Sequence, residues 1–207
     1  TFIGHPAMKK NVVEEMQLPT GSPRIVLLPG SRKSEIQKNL PMQQEILRRI
    51  TIRFPHATAA IACRSEDVEL VQLYSNDVHI VSDALPTVLE WANLALCVSG
   101  TVSLHVMNHA TPMIGMYKVN AFSILLAKML LNTPHRLLPN IIAGTQIVPE
   151  FIPCLECAST IAEVAIKLLS NEESMHAIQS RLQKEAAIYA EHNPSKESAE
   201  LILSFTQ

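Results

Sequence analysis

The sequence predicts an α/β domain, a Rossmann-like and mostly parallel sheet with helices on both faces. Three observations predict it. Short apolar runs alternate along the chain with longer segments whose apolar residues recur at helical spacing. One of these runs, "LALCV" (94–98), is apolar at every position, as a strand covered on both faces should be. Two of the runs also end in a glycine turn that opens directly into a helical segment, "LLPGSRKSEI" (27–36) and "VSGTVSLH" (98–105).

The elements follow in order. "RIVLL" (24–28) reads as the first strand. The segment 34–54 places Ile36, Leu40, Ile46, Leu47 and Ile50 near helical spacing, with Pro41 expected to start or kink part of it. "ATAAIAC" (57–63) is a second strand, and 65–74 a helix with Ser65 as its N-cap. "VHIV" (78–81) is a short third strand, and 84–92 a short helix. "LALCV" is the fourth strand and 101–109 the helix after it. "PMIGMY" (112–117) is a fifth strand, followed by a helix over 121–131. "NIIAG" (140–144) is read as the sixth strand. Helices over 159–169, 171–191 and 195–205 close the chain, the last two separated by Asn193-Pro194. Right-handed crossovers and a ligand crevice outside the carboxyl ends of the strands are expected of such a sheet.

Composition narrows the function classes. The 207 residues are 47% apolar and 17% charged, enough for a sizeable core. A net charge of −2 without a basic tail, and only 4% aromatics, argue against nucleic acid as the partner. No apolar run approaches the ~18–20 residues of a membrane-spanning helix. Of Cys63, Cys97, Cys154 and Cys157, two fall in predicted buried strands, which reads as a reduced, cytosolic protein. The chain opens on Thr1, and "TFIGHP" reads as a strand end met in mid-sequence, so a piece of a longer protein is expected.

The two glycine turns carry the chemistry. Gly30 permits a tight turn where a Cβ would obstruct one, and Ser31 and Arg32 then stand where a helix begins. Helix N–H groups and dipole favour an anion there, and the Arg32 fork suits phosphate. Ser99, Gly100 and Thr101 repeat the design after the fourth strand. Two such turns on neighbouring strands would share one crevice, and a diphosphate is long enough to use both. The loop 138–150 adds Asn140, Gly144, Gln146 and Glu150, of which Asn140 or Glu150 would suit a sugar or ribose hydroxyl. Taken singly, each feature has an ordinary reading: a helix cap, a surface arginine, a solvated glutamate.

These blocks resemble lipid-A-disaccharide synthase. "FIGHP" (2–6), "LLPGSRKSEI", "VSGTVSLHVMNHATPMIGMYKVN" (98–120) and "LPNIIAGTQIVPEFI" (138–152) are similar to that family's blocks in order and spacing, from residue 2 to the C-terminus. The resemblance implies a two-domain GT-B glycosyltransferase, of which the whole chain, 1–207, would be the single C-terminal domain that binds the nucleotide-sugar. It implies a transfer from UDP-2,3-diacylglucosamine to 2,3-diacylglucosamine 1-phosphate with release of UDP, in lipid A biosynthesis. No cofactor or metal is expected. The partners would be a UDP-sugar and a lipid acceptor, the location cytoplasmic and peripheral on the inner membrane. The family's candidate catalytic carboxylate belongs to the N-terminal domain, so no catalytic residue is named here. Carried over by motif, Gly30, Ser31 and Arg32 meet the diphosphate, with Ser99, Gly100 and Thr101 beside it and Asn140 and Glu150 on sugar or nucleotide. Two positions depart from the family pattern: His105 stands where a ribose-binding Glu is usual, and Pro153 where a Gln is usual.

Those departures keep a non-catalytic nucleotide-sugar-binding protein in view, and the shared fold of its domains keeps a UDP-sugar 2-epimerase-like enzyme in view as a second alternative. Cys154 and Cys157 have CxxC spacing but no second pair to complete a zinc site, so they are read as two ordinary thiols. His5 is expected near the crevice or packed on its turn, and Lys118 facing anionic substrate or solvent. Met113, Met116 and Met129 are read as core filler. "AFSILLAKMLL" (121–131) suits either a membrane or acyl-chain contact or a buried cover helix.

Overall fold

The computed structural model describes residues 16–75, 77–119, 133–190 and 202–204. His5, Met129 and the segment 121–131 lie outside them, as does most of 195–205. Of that last segment Ile202–Ser204 are helical, with Ile202 and Leu203 exposed.

Among the described residues six strands form one parallel sheet: β1 (Arg24–Leu28), β2 (Thr58–Cys63), β3 (His79–Ser82), β4 (Leu94–Val98), β5 (Met113–Lys118) and β6 (Glu150–Cys154). Their spatial order is β3-β2-β1-β4-β5-β6, each neighbouring pair parallel. The helices are α1 (Lys33–Arg53), α2 (Val68–Gln72), α3 (Leu85–Trp91), α4 (Val102–Asn108), α5 (Leu138–Ala143), α6 (Ala158–Leu169) and α7 (Glu172–Ala190).

Alternation along the strands splits the core in two. Ile25 and Leu27 of β1 and Leu94 and Leu96 of β4 pack with α1, α2 and α6. Val26, Leu28, Ala95 and Cys97 point the other way, towards α3, α4, α5 and α7. Side chains one residue apart face opposite layers, so both layers need apolar strand positions, which is why these strands read as continuous apolar runs.

Two elements differ from the sequence reading. "NIIAG" is not a strand. It belongs to α5, with Pro139 in its first turn and Gly144, at φ +64°, as its left-handed C-cap. The sixth strand is instead "EFIPC" (150–154), which takes Pro153 because it lies at the sheet edge and needs no second row of partners. Pro41 neither starts nor breaks α1, which runs through it. Pro41 and Gln37 are both exposed, so the carbonyl deprived of its helical partner faces water. Ser65 opens a 3-10 turn (Ser65–Asp67) capped by Arg64, and its side chain caps nothing.

The buried face of α1 is not purely apolar. Asn39, 1% exposed, accepts the N–H of Lys118 on its Oδ1 at 2.8 Å and donates to the Glu35 carbonyl at 2.9 Å. Gln43, fully buried, donates to the carbonyls of Leu28 and Leu96 at 3.2 and 3.0 Å. Among the described residues no helix is long and apolar enough to cross a membrane. Asn39→Ala leaves the Lys118 N–H without its acceptor and should destabilise the domain by roughly 1–3 kcal/mol. The check is urea unfolding, with a lower midpoint at an unchanged slope.

Candidate functional site

β1 pairs with β2 on one side and with β4 on the other. Successive connections leave this pair in opposite directions, and a crevice opens at the carboxyl ends, where doubly wound sheets take ligands. It encloses about 640 Å³. The ends of β1 (Leu28, Gly30, Ser31, Arg32), β2 (Cys63, Arg64) and β4 (Val98, Ser99, Gly100, Thr101) line it, with His105 from α4 and Asp83 from beyond β3. The two turns singled out in the sequence thus share one cavity.

The first turn is filled from within. Gly30 has φ +116°, and a Cβ on it would stand 2.6 Å from Glu35 Oε2. That oxygen accepts the backbone N–H groups of Ser31 at 3.2 Å and Arg32 at 3.4 Å. The other oxygen, Oε1, accepts Arg32 Nη1 at 3.0 Å and the Tyr117 hydroxyl at 3.5 Å. Burial, then the Glu35 charge, pushes the Tyr117 hydroxyl up from its ordinary value, so it remains a donor. The N–H groups of Ser31 and Arg32, just before the helix, are therefore engaged by the chain's own carboxylate. The Arg32 side chain, 79% exposed, stands at the crevice and keeps further N–H groups for a ligand.

In the second turn Ser99 Oγ donates to the Arg136 carbonyl at 3.0 Å, which pins the chain before α5 against β4. Ser103 Oγ donates to the Gly100 carbonyl at 2.7 Å. Thr101 and His105 are exposed on the cavity wall.

Asn140 and Glu150 are not among the residues lining the crevice. Asn140 is fully buried. Its Nδ2 donates to the Val148 carbonyl at 3.0 Å and Glu150 Oε2 at 2.9 Å, and its Oδ1 accepts the N–H groups of Ile147 and Val148 at 2.9 and 3.0 Å. Glu150 accepts the N–H groups of Arg136 at 3.1 Å and Leu137 at 2.9 Å. Together they bind α5, the loop after it and the start of β6 into one unit. Their polar groups serve the backbone rather than a sugar.

Glu35, Cys63, Arg64 and Asp83 were not marked as site residues from the sequence. Their common signal is position, at or just past the end of an apolar strand run or in the first turn of a helix. Burial, then the charges of Asp67 and Asp83, pushes the Cys63 thiol up to about 11. Cys154 and Cys157 are joined in a disulfide rather than being separate thiols. Cys154 closes β6 and Cys157 caps α6, which brings the two side chains together. Among the described residues no group of His, Cys, Asp and Glu could hold a metal ion.

The family profile described as lipid-A-disaccharide synthetase matches residues 1–205. The chain belongs to the lipid-A-disaccharide synthetase family. It is 30% identical over 190 residues to the lipid-A-disaccharide synthase of Idiomarina loihiensis, covering 83% of this chain and 49% of that one. To that of Rickettsia felis it is 30% identical over 225 residues, covering 97% and 55%. The chain thus spans about half the length of the curated relatives it matches. Among solved structures it superposes on Anabaena HepE, in complex with UDP and glucose, with a TM-score of 0.59 at 10% identity, covering 97% of this chain and 52% of that one. On WaaG, a glycosyltransferase involved in lipopolysaccharide biosynthesis, the TM-score is 0.58 at 14% identity, covering 88% and 47%. This lipid-A-disaccharide synthetase family member therefore shares its Rossmann-like α/β fold with about half of each of these solved chains.

Two outcomes test this account of the site. Asn140→Ala removes an amide used on all sides and should cost roughly 2–4 kcal/mol in urea unfolding, several buried groups being left unpaired. Cys63 should resist alkylation by iodoacetamide at pH 8. A thiol at about 11 rather than the ordinary 9.0 holds about a hundredfold less thiolate, and the rate should climb steeply towards pH 11.

Proposed function

We propose that this chain is the nucleotide-sugar donor domain of a lipid A disaccharide-forming glycosyltransferase and that the crevice receives UDP. The observation that carries the reading is the meeting of the Gly30–Arg32 and Ser99–Thr101 turns in one cavity where the strand order reverses. Arg32 and Ser31 take the diphosphate, with Gly100 and Thr101 beside it. Charge grows on the leaving UDP as the glycosidic bond forms, and a preplaced guanidinium stabilises that charge more than it stabilises the bound donor. His105 lies further along the same wall and offers its imidazole to a ribose hydroxyl. Asn140 and Glu150 act on the backbone that shapes the wall through Arg136 and Ser99. The donor in this reading is UDP-2,3-diacylglucosamine and the acceptor a 2,3-diacylglucosamine 1-phosphate. Both are lipids, so the protein works at the inner membrane surface. The other half of the longer protein contributes the acceptor site and the catalytic carboxylate.

Calorimetry with UDP and uridine tests the reading. UDP should bind the chain, and Arg32→Ala should weaken it by roughly 1.5–3 kcal/mol, the range for a hydrogen bond to a charged group. Arg32→Lys should recover part of that, since an ammonium cannot bind bidentately. Uridine should bind native and variant chains alike. UDP binding that is indifferent to Arg32→Ala would make the first turn a helix cap and nothing more.

A further inference from the structure

We propose that Arg64, held by Asp67, is a positioning residue that sets the Gly30–Arg32 turn and through it the place of the Arg32 guanidinium. The inference rests on reading the crevice as the UDP site. It starts from the bonding of that turn. Its N–H groups at Ser31 and Arg32 are taken by Glu35 on the same helix, which fixes one side of the turn. The other side presents the Ser31 carbonyl, and that oxygen accepts Arg64 Nη2 at 2.6 Å, from the strand next door. A carbonyl so held fixes the plane of the Ser31–Arg32 peptide. The direction in which the Arg32 side chain leaves the backbone follows from that plane.

Arg64 can do this because it is held in turn. Its Nε donates to Asp67 Oδ2 at 3.0 Å, and Nη2 stands 2.9 Å from the same oxygen, a side-on pairing that locks the guanidinium plane. Asp67 is 3% exposed and lies outside the crevice lining, so it serves Arg64 and not a ligand. Glu66 makes a further ion pair with Arg64 Nη1. The 3-10 turn carrying both acids is tied to the end of β3. Asp83 Oδ1 accepts the Ser65 N–H at 3.3 Å, and the Asp83 N–H donates to the Cys63 carbonyl at 3.1 Å. One run of contacts therefore links the ends of β3, β2 and β1 and ends on the residue before Arg32. Arg64 lines the crevice with a half-exposed side chain, but its guanidinium already meets three oxygen-bearing partners, Ser31, Asp67 and Glu66, and its effect is assigned to the turn rather than to a direct ligand contact.

The test combines UDP calorimetry with hydrogen exchange of the backbone. Native chain that fails to bind UDP would overturn the functional reading. The positioning role has its own readout in either case: Arg64→Ala should speed amide exchange at residues 31–33, and unchanged exchange there would overturn it. Where UDP binds, Arg64→Ala should weaken it about tenfold, close to the loss of one hydrogen bond. Asp67→Asn should weaken UDP in the same direction although it does not face the crevice, while uridine affinity holds for both. Arg64→Lys should restore part of the affinity by reaching the Ser31 carbonyl with one donor. In an Arg32→Ala background, Arg64→Ala should add little. Full additivity of the two losses would mean that Arg64 touches the ligand itself and would overturn the proposal.

Discussion

Three polar side chains on the buried face of α1, at 35, 39 and 43, hold the architecture of the site. They recur every four residues, so they form one stripe along the helix. Each is bonded to the sheet or its turns: Glu35 in the turn after β1, Asn39 at the end of β5, Gln43 at the carbonyls of Leu28 at the end of β1 and Leu96 in the middle of β4. Apolar packing resists a sliding helix through lost contacts and voids. The bonds of Glu35, Asn39 and the Gln43 amide nitrogen add a directional constraint, since a slide would break them. The stripe fixes α1 against β1, β4 and β5 together, and those are the strands whose ends surround the crevice.

The sheet was legible in the sequence because buried parallel strands carry apolar residues on both sides, and five of the six strands stand within a residue of the expected ranges. The sixth failed for a physical reason. "NIIAG" looks like a strand only if Pro139 and Gly144 are treated as boundaries, whereas together they are the start and stop of a short helix. "EFIPC" was not read as a strand; it is short, carries Pro153, and is tolerated as a strand because it lies at the sheet edge. Local pattern could not say which strand would be the outermost.

The crevice was legible in outline, and the bonding around it was not. Glycine turns at strand ends announced the cavity, since positive φ at Gly30 is a backbone demand visible in residue type. What fills the space beside that glycine was not visible. Glu35 belongs to the same ten-residue block, but its role depends on a carboxylate folding back over the turn. Asn140 and Glu150 showed the opposite limit. Polar residues in a loop invite a ligand reading, yet a buried loop has its own N–H and carbonyl groups to satisfy, and these two residues do that. Arg64 escaped notice because its partner, the Ser31 carbonyl, lies 33 positions away in sequence and comes near only through the pairing of β1 with β2.

The carboxylate seated at the start of α1 has a consequence for selectivity. It is an anion tethered to its own receptor, present at an effective concentration that small dissolved ions cannot match. Inorganic phosphate or chloride arriving at this turn finds the Ser31 and Arg32 N–H groups already engaged by Glu35. A small anion there would compete with a carboxylate that the fold itself holds in place, so in the proposed diphosphate reading the ligand's charge falls on the exposed face of Arg32 rather than on the Ser31 and Arg32 N–H groups.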